Sequence, residues 1–232
     1  MINEYCDKVV CINLQNRPDK KEFMKTRFDH LAIDVEWFHP VQYGFADKIV
    51  NALYQSKSRS GHFNTSQPNE FGAAMSHYTV IKTALQQGVE KLCVFEDDAI
   101  FHKDYTTLLA KYMTAVPEDA DILLFYSFMY NLEPKNVRVN ARWMKAYKSW
   151  SLLNYIMNKK AMEEYIERQD RFFTIADSVT YNMQEVNQIK TYCTTPCLVL
   201  PSTNLASNIR TVKNYETTQT VLQLGVSPEK YE

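Results

Sequence analysis

The chain has 232 residues, with 26 basic against 27 acidic side chains and a formal net charge of -1. That balance argues against a general nucleic-acid binder, which would be strongly basic. Glycine is scarce at 5 residues, about 2% where ~7% is usual, and neither G-x-G-x-x-G nor G-x-x-x-x-G-K-[ST] occurs, which excludes a glycine-rich phosphate cradle.

In chain order, Lys8–Leu14 is a continuous apolar run, the pattern of a strand buried on both faces. Asn16-Arg17-Pro18-Asp19 reads as a helix start, with an Asn cap and a proline in the first turn; the helix runs to about Leu31. Val35–His39 reads as a strand, Asp47–Ser56 as a helix, and Ser56–Pro68, with Lys57 and Arg59, as a polar, Ser-rich loop long enough to be mobile or functional. Asn69–Gln87 is a long helix stopped by Gly88. Lys91–Phe95 is a strand, Tyr105–Val116 a helix, Ile122–Phe128 a strand, Trp150–Asn158 a strand and Lys159–Arg168 a helix, with a late strand at Cys197–Leu200. Alternation of this kind predicts an α/β domain with a mostly parallel sheet. One domain over 1–232, with 210–232 as a C-terminal tail, is the simplest division.

The five cysteines (Cys6, Cys11, Cys93, Cys193, Cys197) are scattered through apolar stretches, and Cys193-x-x-x-Cys197 lacks a second pair, so buried thiols in a reducing compartment are favoured over zinc. Met1–Asp7 shows no secretory pattern and no apolar run approaches a membrane span, giving a cytoplasmic reading with peripheral membrane contact left open.

Two stretches carry chemistry. In Val94-Phe95-Glu96-Asp97-Asp98 an apolar strand ends in three acids. Along an extended backbone Glu96 and Asp98 point one way and Asp97 the other. Carboxylates that converge need a cation between them; a divalent ion with oxygen ligands, Mn²⁺ or Mg²⁺, meets that need. The competing reading is a solvated turn or a cap of the next helix. Sugar transfer from a nucleotide-sugar, nucleotidyl transfer and nuclease chemistry all use such pairs. In the helix Glu70-Phe71-Gly72-Ala73-Ala74-Met75-Ser76-His77, Glu70 and His77 fall about 20° apart on one face, opposite a stripe of Phe71, Met75, Tyr78 and Leu85. A buried Glu–His hydrogen bond is the structural reading of that pair.

Together these stretches resemble glycosyltransferase family 25. Cys11-Ile12-Asn13-Leu14-Gln15-Asn16-Arg17-Pro18-Asp19 is similar to its I-N-L-x-x-R-x-x-R pattern, with Lys20 in place of the second basic residue. Asn69 to His77 is similar to G-E-I-G-C-x-L-S-H, with Asn69 for the first glycine and Ala73 for the cysteine. Phe95-Glu96-Asp97-Asp98-Ala99 matches L-E-D-D-[AV]; Tyr155-Ile156-Met157-Asn158-Lys159-Lys160-Ala161 resembles Y-x-I-S-x-x-G-A, with Lys160 where glycine is usual. Weaker matches are Ala176-Asp177 with P-x-D and Ser207-Asn208-Ile209 with S-x-I.

The resemblance implies a GT-A type (Rossmann-like) nucleotide-sugar-binding fold, a UDP-sugar donor carrying galactose or glucose, Mn²⁺ (or Mg²⁺), and transfer with inversion to a hydroxyl of a glycan, lipid-linked sugar or hydroxylated protein. On it, Glu96 and Asp98 are expected to hold the metal. Asn13, Leu14, Arg17, Glu70, Ser76, His77 and Asp97 are expected to meet the nucleotide-sugar. Asp177, an acid in an apolar approach, is the candidate general base, with a helix cap or second metal ligand as its other readings. Separately, Pro134–Met162 holds seven basic residues (Lys135, Arg138, Arg142, Lys145, Lys148, Lys159, Lys160), no Asp or Glu, and Trp143, Tyr147 and Trp150. It is suited to an anionic acceptor or to stacking a sugar ring, or is simply a solvated basic face. A metal-dependent nucleotidyl- or phosphoryl-transfer enzyme and a catalytically inactive glycan-binding homologue are the alternative functions.

Overall fold

The computed structural model describes residues 1–40, 68–127, 137–172, 174–185, 189–202, 205 and 230–232. The helix expected at Asp47–Ser56, the loop Ser56–Pro68 with Lys57 and Arg59 apart from Pro68 itself, Phe128, Lys135, Ser207–Ile209 and all but the last three residues of the tail lie outside that set.

After a short 3₁₀ turn (Ile2–Glu4) come β1 (Lys8–Ile12), α1 (Pro18–Leu31), β2 (Glu36–Phe38), α2 (Pro68–Gln86), β3 (Lys91–Glu96), β4 (Ala99–Phe101) and α3 (Tyr105–Met113). Then follow β5 (Ile122–Leu124), β6 (Val137–Arg138), β7 (Trp143–Lys145), β8 (Asn154–Asn158), α4 (Lys159–Phe172), α5 (Ala176–Glu185), β9 (Thr191–Thr194) and β10 (Val199–Pro201).

Eight strands form one sheet in the order β2-β1-β3-β8-β5-β9-β7-β6, while β4 and β10 make a separate antiparallel ribbon. The α/β class stands, and the sheet is mixed. β1 runs parallel to β2 and β3, and β5 parallel to β9. β8 runs against both β3 and β5, and the β6–β7 hairpin joins antiparallel to β9.

Alternation along the central strands sends side chains to two apolar layers. Val10, Val94, Tyr155 and Met157 meet α2, α4 and α5 through residues such as Ile81, Met162 and Val179. Val9, Cys11, Cys93, Phe95 and Ile156 meet α1 and α3 through Met24, Phe28, Tyr105 and Leu109. The five cysteines are free thiols, four of them buried. Phe28 stands edge-on to Phe95 at 5.2 Å, one of several aromatic contacts that lock α1 against the sheet.

Helices α1 and α2 each end with a left-handed residue. Gly88 (φ 75) closes α2, with the Val89 N–H donating to the Ala84 carbonyl, as the sequence predicts. Ala32 (φ 52) does the same for α1, with the Ile33 N–H donating to Phe28. The α1 cap falls on Arg17 rather than Asn16 and uses no side-chain hydrogen bond. In α2, His77 turns out to lie on the buried face with Ala74, Ile81 and Ala84, whereas Met75 and Leu85 are only partly buried.

Candidate active site at the carboxyl edge of the sheet

β1, β2 and β3 end together, with Ile12 paired to both Phe38 and Glu96. The start of β8 lies at the same edge because Asn154 pairs with Phe95. Open α/β sheets bind ligands at the carboxyl ends of their parallel strands, and the acidic triplet stands there. Glu96 is the last residue of β3, and Asp97 and Asp98 form the turn into β4.

Each acid has a different environment. Asp97 is buried and fully engaged: Lys20 Nζ donates to its Oδ1 at 2.7 Å and Asn13 Nδ2 to its Oδ2 at 2.9 Å. Lys20 also reaches Asp98 Oδ2 at 3.3 Å. Burial pushes the Asp98 carboxyl up, Lys20 pulls it down, and the charges of Glu96 and Asp97 push it further, to about 6. The Asp98 carbonyl accepts the Ser202 N–H at 2.7 Å, which pins the turn from behind.

Glu96 faces α2. His77 Nε2 donates to Glu96 Oε1 at 3.2 Å, which leaves Nδ1 to accept from the Tyr155 hydroxyl at 3.0 Å. Burial alone would raise the Glu96 carboxyl; the His77 hydrogen bond, with the Lys20 charge, outweighs it and holds the group below its ordinary value. Its side chain keeps 36% exposure, so solvent screens these influences. Burial pushes the Tyr155 phenol far up, and the charges of Glu96 and Asp177 add to that, so Tyr155 lies in the field of both carboxylates.

The remaining residues expected at the site divide. Asn13 is at the edge, but its amide holds Asp97 and the Arg17 carbonyl. Leu14 is half-buried and its carbonyl accepts the Arg17 N–H at 2.9 Å. Arg17 turns its fork to Asp19 at 2.9 and 2.7 Å, and that hydrogen-bonded pairing lowers exposed Asp19 to about 2. Glu70 is half-buried in the first turn of α2; both His77 nitrogens go to Tyr155 and Glu96. Ser76 is buried and donates to the Gly72 carbonyl within its own helix. Asp177 sits in the first turn of α5, where its Oδ2 accepts the Ser151 N–H at 3.2 Å.

Two members of the site were not singled out from the sequence, Lys20 and Tyr155. Lys20 is spaced four and eight residues before Met24 and Phe28, both core residues of α1. A lysine in that register needs a buried counter-charge, and that signal was available. The basic segment, by contrast, does not form one patch. Trp143 is a core residue with its indole N–H on the Tyr112 carbonyl at 2.9 Å. Lys159 and Lys160 pair with Glu90 and Asp121, at the opposite edge of the sheet. A cavity at that far edge, lined by Asn3, Asp7, Lys91, Asp121 and Asn158 among others, is remote from the carboxylates.

The donor chemistry at the acidic turn fits a hard divalent cation. Glu96 and Asp98 are partly exposed oxygen donors, and Asp97 is already neutralised by Lys20. Among the described residues no group of three or more His, Cys, Asp or Glu side chains is arranged to hold a metal. A cation that takes one or two carboxylates plus substrate phosphates does not require one.

Its place at the carboxyl edge of an α/β sheet makes the acidic turn a candidate ligand site. The sequence pattern of glycosyltransferase family 25 (LPS biosynthesis protein) matches residues 6–196, and the chain belongs to that family. A protein of Acanthamoeba polyphaga mimivirus described as a putative glycosyltransferase is 30% identical over 125 residues, 50% of this chain and 36% of that protein. A glycosyltransferase 25 family member of Aedes aegypti is 22% identical over 174 residues, 69% of this chain and 28% of that protein. The chain thus spans about a third of the length of these curated relatives. The crystal structure of mannose-1-phosphate geranyltransferase from Thermus thermophilus is similar with a TM-score of 0.44 and 12% identity, covering 81% of this chain and 72% of that one. Among the described residues no helix is long and apolar enough to cross a membrane.

Proposed function

We propose that this glycosyltransferase moves a hexose, galactose or glucose, from a UDP-sugar to a hydroxyl of a glycan, lipid-linked sugar or hydroxylated protein, with inversion. The observation that carries the reading is the division of labour in the acidic turn: Lys20 and Asn13 consume Asp97, leaving Glu96 and Asp98 as the solvent-facing pair. These two residues would hold Mn²⁺ or Mg²⁺, which when bound supplies charge neutralisation for the departing diphosphate. His77, fixed by Tyr155, orients Glu96. Asp177 accepts the proton of the acceptor hydroxyl as its oxygen bonds to the anomeric carbon and the bond to the diphosphate breaks. The Ser151 N–H holds one Asp177 oxygen in place.

The test is UDP-galactose and UDP-glucose turnover with Mn²⁺ in Glu96→Ala and Asp98→Ala proteins. Both are expected to lose turnover and its metal dependence. Asp177→Asn is expected to lower kcat by roughly 10²–10⁴-fold, the usual worth of a general base, while UDP binding persists. Undiminished Mn²⁺-dependent turnover in Glu96→Ala and Asp98→Ala would overturn the metal assignment.

A further inference from the structure

One part of the basic aromatic segment does assemble beside the candidate base. Trp150 and the α5 residue Tyr181 pack with ring centroids 4.8 Å apart and planes inclined at 40°. Both rings are half-buried, unlike core Trp143. Tyr181 follows Asp177 by four residues, so the two share one face of α5, a single turn apart. Trp150 precedes Ser151, whose N–H donates to Asp177 Oδ2. The two aromatic walls are therefore placed by the same elements that hold the carboxylate.

The backbone around Trp150 is specialised. Lys148 (φ 56) and Ser151 (φ 98) are both left-handed, which is costly for residues with a Cβ, and they bracket the tryptophan. Ser149 between them is fixed by Gln184 of α5, which accepts from its N–H at 2.9 Å and its hydroxyl at 3.1 Å. Lys148 lies 5.9 Å from the Tyr181 ring centroid and 3.6 Å from Glu185, bracing the far side of the pair. Among the described residues neither the Trp150 indole N–H nor the Tyr181 hydroxyl meets a hydrogen-bond partner.

We propose that the Trp150–Tyr181 pair is the platform on which a pyranose ring of the acceptor docks, presenting its hydroxyl to Asp177. This rests on Asp177 acting as the base of a glycosyl transfer. A pyranose has an apolar C–H face and a polar rim, and a partly exposed aromatic pair with two polar tips matches both. The occupant is a glycan rather than a lipid or a peptide, because the surface is small and aromatic, carries two polar tips and adjoins the Asp177 carboxylate.

The test uses methyl β-galactoside, methyl β-glucoside, methyl α-mannoside and methyl N-acetyl-β-glucosaminide as probes. Ligand-observed saturation-transfer NMR and titration follow their binding to the full chain, and calorimetry with UDP and Mn²⁺ reads the donor site separately. At least one glycoside is expected to bind, about tenfold more weakly to Trp150→Ala and to Tyr181→Ala, a typical worth of a stacked aromatic contact. Trp150→Phe should largely restore it, and UDP binding should be unchanged in all three, which also certifies folding. Binding of none of the four glycosides, or equal binding to wild type and both alanine variants, overturns the platform. Glycoside binding that depends on Trp150 in a chain that binds no UDP-sugar leaves the platform standing and overturns the transferase reading instead.

Discussion

At the scale of single residues, Lys20 decides how the acidic turn is built. Its side chain is 3% exposed and lies between two carboxylates that are 11% and 21% exposed. Removing one partner of such a buried set leaves uncompensated charge, a loss of about 3–5 kcal/mol. Lys20→Met should therefore lower stability by that order in urea unfolding at neutral pH. Asp121 offers a second, independent case at the other edge of the sheet. Burial alone would raise its carboxyl, but Lys160 at 2.8 Å, the Lys190 N–H at 2.8 Å and Asn158 at 3.0 Å hold it below its ordinary value. A folded-state value below the unfolded one means stability that is present above the ordinary carboxylate range and lost as pH falls through the folded value. Asp121→Asn should be less stable than wild type at pH 7, and the two curves should converge on acidification below about pH 4. A constant gap down to the lowest pH would refute that linkage.

At the scale of elements, the two helix ends give opposite predictions from one geometry. Gly88→Ala places a Cβ at φ 75 where no atom lies within 4 Å, so its cost is backbone strain alone, about 1–2 kcal/mol. Ala32→Gly relieves the same strain at φ 52 and should raise stability by up to ~1 kcal/mol after the extra freedom of the unfolded chain is counted. Thermal melts should move in opposite directions by a few degrees. Both stops were legible in the sequence, at Gly88 and at about Leu31, but only the first was legible as a left-handed cap, because alanine does not advertise a positive φ as glycine does.

The same contrast runs through the strands. β1 and β3 were legible as runs buried on both faces. β4 was hidden because three residues, Ala99 to Phe101, are too short to show a period, and β6 and β7 because basic side chains interrupt them. Strand direction is not written in periodicity. The stretch between β5 and β8 carried the available hint: no helical pattern was read there, and a parallel return needs a crossover. The expected strand at Trp150–Asn158 begins only at Asn154: Trp150 and Ser151 turn to α5, and Leu153 keeps one bond to the sheet, its carbonyl accepting the Glu96 N–H at 2.8 Å. Of the site, the acids themselves were legible. Their partners Lys20, Asn13, His77 and Tyr155 come from four separate elements or their ends, and that convergence exists only once the sheet is assembled.

At the scale of the whole molecule, ligand binding should report on folding. UDP with Mn²⁺ binds only the native edge on this reading, so it should raise the melting temperature in proportion to occupancy. Chelation should cancel the effect, and Asp98→Ala should abolish it. A shift of equal size with and without chelator would argue against a metal at Glu96 and Asp98.

The ribbon of β4 and β10 has a consequence for the architecture of the chain. Pro201 pairs with Ala99 on one side of β4. On the other side Glu232 exchanges hydrogen bonds with Phe101 at 2.9 and 3.0 Å, and the Tyr231 hydroxyl donates to the Cys197 carbonyl at 2.6 Å. The polypeptide thus leaves from β4 and comes back to it, and β4 begins one residue after Asp98. A single cut between Ser202 and Lys230 would leave β10 on one piece and Tyr231–Glu232 on the other, each still paired to the same three-residue strand. That strand acts as a clasp, and the acidic turn is the first thing it fastens.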